Sequence, residues 1–272
     1  MDNAKELKLT KHTKKQLELP YYGYSVLRYF TAALFVAAIV SIGLAIVFTG
    51  WSSILCVALG VILLFGGVFC HLSMGWVTNR EKIELLKNDF SERLEWAGTG
   101  KVLDIGTGQG RVAIGVAKQF PEAQVTGVDT WTKGWKLFGM TKAGAARNAV
   151  IESVSARCSF QTGSALDLPF AEGKFQLVVS AFVFHEVRIP DRTLLLKEAI
   201  RVLAPGGMFV ICDLFNGSLL KTYKVNSVPE LLETVRQMGA EEVKYERLKD
   251  AGVKLGGLVH IWELGYLSGR KV

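Results

Sequence analysis

In the run VLDIGTGQG (residues 102–110), Gly106, Gly108 and Gly110 alternate behind an apolar stretch that contains Asp104. A glycine turn between a strand and a helix suits one task in particular. With no Cβ in the way, its backbone amides come close to a nucleotide-like ligand. A second acidic residue, Asp129, ends the next apolar run in VTGVDT (residues 125–130). The dinucleotide signature GxGxxG is not met, because the place of its third glycine is taken by Arg111.

The elements that must hold these residues follow from periodicity. Short apolar runs predict strands at Lys101–Ile105, Gln124–Asp129, Cys158–Thr162, Phe175–Ala181, Met208–Leu214, Val243–Arg247 and Leu258–Leu267. Between them, helical spacing predicts Gly110–Gln119, Thr141–Val154, Arg192–Leu203 and Pro229–Met238. Such alternation specifies an α/β fold, a doubly wound and mostly parallel seven-stranded sheet with helices on both faces. Ligands of such sheets bind outside the carboxyl ends of the strands, where the Gly106–Gly110 turn falls. The last two strands, joined by AGVKLGG (residues 251–257), read as an antiparallel hairpin at the sheet edge.

Together with SALDLPF (164–170), FQLVVSAFVFHEV (175–187) and RVLAPGGMFVICDLF (201–215), these motifs make residues 100–267 resemble the class I S-adenosylmethionine (SAM)-dependent methyltransferases, in particular the small-molecule and quinone-type branch. The resemblance implies a Rossmann-like methyltransferase domain, with SAM as cofactor. It implies a cofactor site formed by Asp104, Gly106, Thr107, Gly108, Gly110, Asp129, Thr130, Ser164, Ala165, Leu166 and Ser180. In that site Asp104 orients the amino-acid end of the cofactor and Asp129 accepts both ribose hydroxyls, a charge-assisted pair. Thr107 stands equally as a turn former. The family usually carries an acid after Gly163, to accept from the adenine amino group; here Ser164 takes the place with a weaker acceptor, and Asp167 either substitutes or serves the turn before Pro169.

Methyl transfer is a displacement at a sulfonium, so aligning the acceptor and excluding water supply most of the acceleration. A base is needed only where the acceptor sheds a proton. His185, just past the fourth strand, is the candidate catalytic base, with helix-start packing as its competing role; Glu186 and Asp213 read more readily as solvated loop carboxylates. The strand end reads SAFV (180–183), without the Asn/Asp-Pro-Pro-aromatic tetrapeptide of amide and adenine amino-methyltransferases, which counts against nucleic-acid bases and protein glutamine as acceptors. TWTKGWKLFGM (130–140) either roofs the cofactor, touches lipid headgroups, or packs Trp131 inside an ordinary helix entry. Residues 216–228 form a connection of the kind in which relatives recognise acceptors.

Ahead of this domain, Tyr29–Met74 contains no Asp, Glu, Lys or Arg, and the mean hydropathy of the whole chain is +0.27. TGWSS (49–53) divides the stretch into two transmembrane spans, about 30–48 and 54–74, each matching the bilayer hydrocarbon in length. Tyr21, Tyr22, Tyr24, Trp51 and Trp76 stand where interfaces belong. Lys5, Lys8, Lys11, Lys14, Lys15 and Arg28 precede the pair and Arg80, Lys82 and Lys87 follow it, whereas the turn has no positive charge, so both ends are expected on the cytosolic side. The division expected is a basic segment (1–28), a membrane hairpin (29–74), an amphipathic linker helix (75–99) and the methyltransferase domain (100–272). The formal charge of +7 is then partly membrane-flank chemistry, with nucleic acid the weaker partner and the lipid bilayer the stronger. Cys56, Cys70, Cys158 and Cys212 form no CxxC pair, which argues against a zinc site or disulfide framework. Tethering near a bilayer raises the effective concentration of a lipid-dissolved acceptor, so the acceptor expected is small and apolar or lipid-associated. Two alternatives remain: a membrane-anchored scaffold that binds SAM without catalysis, and an enzyme of soluble metabolites that uses the hairpin only as an address.

Overall fold

The computed structural model describes residues 20, 22, 25–75, 79–137, 139–250, 252–253 and 262–272. The basic stretch 1–19, Tyr21, Tyr24, Trp76, Phe138 and most of the connection 251–261 lie outside the described residues.

Two apolar helices open the described chain, α1 (Ser25–Val47) and α2 (Trp51–Met74). Both are long and apolar enough to cross a membrane by length and composition, with only 11% of each apolar window buried. They pack on each other through small residues. Ser41 donates to the Cys56 carbonyl at 2.8 Å and Ser53 to that of Ala45 at 2.8 Å, while a Cβ at Gly67 would press on the Phe35 ring at 3.1 Å. Outward faces are left bare, as at Ile46 (88% exposed). The amphipathic α3 (Arg80–Glu92), capped by Asn79, buries Leu86 and Phe90. It is pinned to the rest by Asp89, which accepts from the Tyr266 hydroxyl at 2.6 Å.

The sheet comprises β1 (Gly100–Ile105), β2 (Ala123–Asp129), β3 (Cys158–Thr162), β4 (Phe175–Ala181), β5 (Leu203–Leu214), β6 (Ala240–Arg247) and β7 (Leu264–Lys271). Their spatial order is β3-β2-β1-β4-β5-β7-β6. The first five pair in parallel, and β7 runs antiparallel to both β5 and β6. The helices are α4 (Arg111–Gln119), α5 (Lys133–Leu137), α6 (Lys142–Ile151), α7 (Thr193–Arg201), α8 (Gly217–Thr222) and α9 (Val228–Gln237). Two hydrophobic clusters, one on each sheet face, hold the layers together; Val102, Val125 and Leu177 face one, Leu103, Ile105 and Val178 the other. β1 and β4 are buried on both faces, the pattern of central parallel strands.

The last strand, described from Leu264, runs on to Lys271 rather than ending at Leu267, and residues 258–261 of the expected strand lie outside the described residues. With β6 it forms the antiparallel pair expected at the sheet edge. The extension past Leu267 passes through Gly269, which resembles a strand breaker in the sequence. In the sheet Tyr245 crosses Gly265 and the Phe209 ring crosses Gly269, where an added Cβ would stand 2.5 and 2.9 Å from them.

Candidate active site

The cavity opens at the carboxyl ends of β1, β2 and β4 and measures ≈ 300 Å³, enough for one nucleoside-sized ligand. Its floor is the turn after β1. Gly106, Gly108 and Gly110 have φ of 69°, 53° and 80°, left-handed values that favour glycine. At Gly106 a Cβ would also overlap the Val183 side chain, so the loop can sit against the end of β4 only without one. Gly110 serves as the N-cap of α4 but has no side chain to bond the helix amides. Asp104 performs that task from β1: one carboxylate oxygen accepts from the Ala113 amide at 3.0 Å and the Thr107 hydroxyl at 2.7 Å. Burial pushes the Asp104 carboxyl up to about 7, against the lowering effect of those two bonds.

Asp129, at the end of β2, joins two loops. It accepts from the Gly108 amide at 2.9 Å on one oxygen and from the Trp131 amide at 2.9 Å on the other. The Trp131 indole completes the link by donating to the Gly108 carbonyl at 2.9 Å. Trp131 is 5% exposed with φ of 39°, so it packs inside at the head of the short α5, while Trp135 of that helix lines the cavity and Lys133 and Lys136 face outward. On the other side, Asn148 donates to the Gln109 carbonyl at 2.9 Å and Gln109 to that of Gly139, so α6 clamps the glycine turn.

Of the residues expected in the cofactor site, Asp104, Gly106, Thr107, Gly108, Asp129, Thr130, Ser164 and Ala165 line this cavity. Gly110, Leu166 and Ser180 are not among the residues that line it. Ser180 is 0% exposed and donates to the Ile105 carbonyl at 2.9 Å, a bond that ties β4 to β1. Leu166 donates its amide to the Ser164 hydroxyl oxygen at 3.2 Å, and Asp167 pairs with Ser164 across a tight turn, a turn role that places it off the lining.

The carboxylates beyond β4 also differ from expectation. His185 does not line the cavity, but Glu186 does. Asp213 is no solvated loop group: it is 0% exposed and takes hydrogen bonds from the amides of Val183, Phe184 and Leu214 and from the His185 ring. Arg111, noticed in the sequence only as the missing third glycine, lines the cavity with its guanidinium 5.6 Å from the centre of the Phe182 ring. Phe182, Val183 and Met140 complete the wall, positions whose exposure to the cavity depends on chain crossings that no local pattern records. Among the described residues no cluster of His, Cys, Asp and Glu is placed to hold a metal ion.

A parallel sheet with an antiparallel seventh strand, bearing a glycine turn and an acidic strand end over a cavity at the carboxyl edge, defines the class I SAM-dependent methyltransferase fold. Residues 102–207 match the family model described as a methyltransferase domain, and this segment is such a domain. The chain is 34% identical over 123 residues to a ubiquinone/menaquinone biosynthesis C-methyltransferase of Geotalea daltonii, covering 45% of this chain and 48% of that protein. It is 35% identical over 111 residues to the chloroplastic tocopherol O-methyltransferase of Arabidopsis thaliana, covering 41% of this chain and 29% of that protein. The chain thus spans about half the length of the first of these relatives, and less of the second. In fold it is similar to the geranyl diphosphate C-methyltransferase of Streptomyces coelicolor A3(2), with a TM-score of 0.54 at 15% identity over 72% of this chain and 82% of that one.

Proposed function

We infer that this protein is a SAM-dependent methyltransferase anchored in a membrane by α1 and α2, and that it methylates a small, apolar or lipid-associated acceptor. The observation that carries the reading is the bond between Gly108 and Asp129 inside a methyltransferase domain. It joins the glycine turn to the acidic strand end over the cavity, which supports a site for a nucleoside with a ribose diol.

Bound SAM supplies an electrophilic methyl group. The chain's residues do the rest. Asp129 keeps lone pairs for the ribose hydroxyls while its two amide bonds hold it in place. Gly106 and Gly108 offer bare backbone to the amino-acid end, and Ser164 and Ala165 border the place for the adenine. Val183, Val187 and Phe182 make an apolar wall on the acceptor side, which excludes water from the reacting atoms.

An apolar acceptor is supported by this wall, by the quinone and tocopherol chemistry in the names of the relatives, and by the bare faces of α1 and α2. Lysines and arginines flank the helix pair at both ends in the sequence and none lies in the turn between the helices, which favours the cytosolic side for the domain. Membrane extraction followed by methyl transfer from labelled SAM tests the reading. Label is expected in the lipid extract, and protein in the carbonate-resistant membrane fraction. Label confined to water-soluble products would reject the acceptor class. A chain lacking residues 1–78 that keeps full transfer to the same lipid would leave the hairpin only an address.

A further inference from the structure

The segment after β4 is held more tightly than a surface loop requires. Phe182 has a left-handed φ of 61°, and its amide donates to the Cys212 carbonyl at 2.8 Å. The next two amides, of Val183 and Phe184, end on one oxygen of Asp213 at 3.1 and 2.7 Å. Arg192, 7% exposed, gathers the carbonyls of Phe184, His185 and Val187 at 2.9, 3.0 and 2.9 Å and fastens to Thr222 at 2.7 Å. Two buried charged groups, Asp213 and Arg192, thus fix the backbone on both sides of residue 186.

Within this frame the His185 ring bridges two carboxylates. Nδ1 lies 2.5 Å from Asp213 Oδ1, and Nε2 lies 3.2 Å from Glu186 Oε1. Both ring nitrogens therefore donate, and the imidazole has no free lone pair with which to take a proton. Glu186 is the member of the trio that lines the cavity, with 49% of its side chain open.

Resting on the methyltransferase reading above, we propose that Glu186 is the catalytic residue that accepts the acceptor's proton, and that His185 and Asp213 are positioning residues which hold its carboxylate ionised and aimed into the cavity. The bond that breaks is the acceptor's O–H or C–H. Its electron pair stays with the acceptor, and the proton forms an O–H bond on Glu186. Charge around the trio is compatible with that role. Asp213 faces His185 from β5, Arg188 lies near Glu186, Arg192 reaches the trio at the His185 backbone carbonyl, and the buried Tyr223 phenol beside Asp213 stays protonated. Burial alone would lower the His185 pKa; the bonds to Asp213 and Glu186 outweigh it and push it up to about 9, so the ring is a cation at neutral pH. The hydrogen bond from that ring keeps Glu186 below the usual carboxylate range.

The test uses the full chain in detergent with Glu186→Gln, a change at a half-open position that leaves the buried frame intact. Three readouts are combined: calorimetry with S-adenosylhomocysteine, NMR titration of the His185 ring, and methyl transfer to a 1,4-naphthohydroquinone carrying one isoprene unit. The expected result is a homocysteine-adduct affinity within about twofold of the parent, a His185 midpoint that moves down, and kcat lower by about 10²–10⁴-fold with KM little changed. The parent's rate should fall on acidification and that fall should vanish in the variant, and Glu186→Asp should restore part of kcat. An affinity weakened tenfold or more would make Glu186 a cofactor-binding group and overturn the proposal, as would an unmoved His185 midpoint or a kcat within threefold of the parent. Failure of the parent itself to transfer methyl while binding the homocysteine adduct would instead reject the acceptor class, and the His185 titration would still decide whether Glu186 pairs as described.

Discussion

The Gly108 amide and the Asp129 carboxylate meet at 2.9 Å, so the turn after β1 and the end of β2 form one unit. Neither residue's role is separable from the other's. The acid orders the loop, and the loop aims the acid.

Asp129→Ala removes the partner of two amides together with the acceptor for a ribose diol. Hydrogen bonds to a charged group contribute about 1.5–3 kcal/mol each. Calorimetry with S-adenosylhomocysteine is therefore expected to register a loss of affinity of at least about thirtyfold. Unchanged affinity would remove Asp129 from the site.

Gly106→Ala places a methyl in the Val183 side chain at a left-handed φ of 69°. Strain and overlap together cost about 1–3 kcal/mol. Thermal melts in detergent should show a lower Tm, partly recovered by adding Val183→Ala, which removes the two nearest methyls but leaves the residue's Cβ at 2.8 Å and the backbone strain in place. Full recovery would mean that the dihedral costs nothing.

The Asp104 carboxyl, 1% exposed, has a folded-state pKa of about 7 against an ordinary 3.8. Between these values the folded chain binds more protons than the unfolded one, so stability falls as pH rises from about 4 to 7. The full effect is on the order of 4 kcal/mol. Asp104→Asn still offers an oxygen to Thr107 and Ala113 but has no charge to desolvate. Its Tm relative to the parent should therefore rise across that window, and a parallel pair of Tm curves would contradict the assignment.

Ser164→Asp restores an acid at the adenine end of the cavity. A charged acceptor binds an amino group more strongly than a hydroxyl does. The affinity for S-adenosylhomocysteine is expected to tighten by about three- to tenfold in the same calorimetric assay. Weaker binding would place the adenine elsewhere.

Much of this fold was legible because its rules are local. β1, β2 and β4 are apolar runs bounded by turn residues, and the helices expected from Thr141 and Pro229 form, capped by Thr141 and Ser227 through bonds from the Gly144 and Glu230 amides. Three short helices, α5, α8 and the single turn Phe184–Glu186, were missed because so few residues carry no readable period. The end of β7 was missed because Gly269 answers to Phe209, which arrives from elsewhere in the chain.

By itself, the amino-acid sequence determined the glycine turn, the acids at Asp104 and Asp129, the alternating elements and the charge-free stretch Tyr29–Met74, since each depends on residues close together along the chain. Which carboxylate past β4 looks into the cavity was decided only in three dimensions. His185, Glu186 and Asp213 differ little as sequence, but β5 brings Asp213 under the loop, where burial and three amides commit it to structure. His185 is then drawn between two acids, and Glu186 alone of the trio is left facing the space where an acceptor would lie. Burial and long-range pairing set those roles, and neither has a local signature.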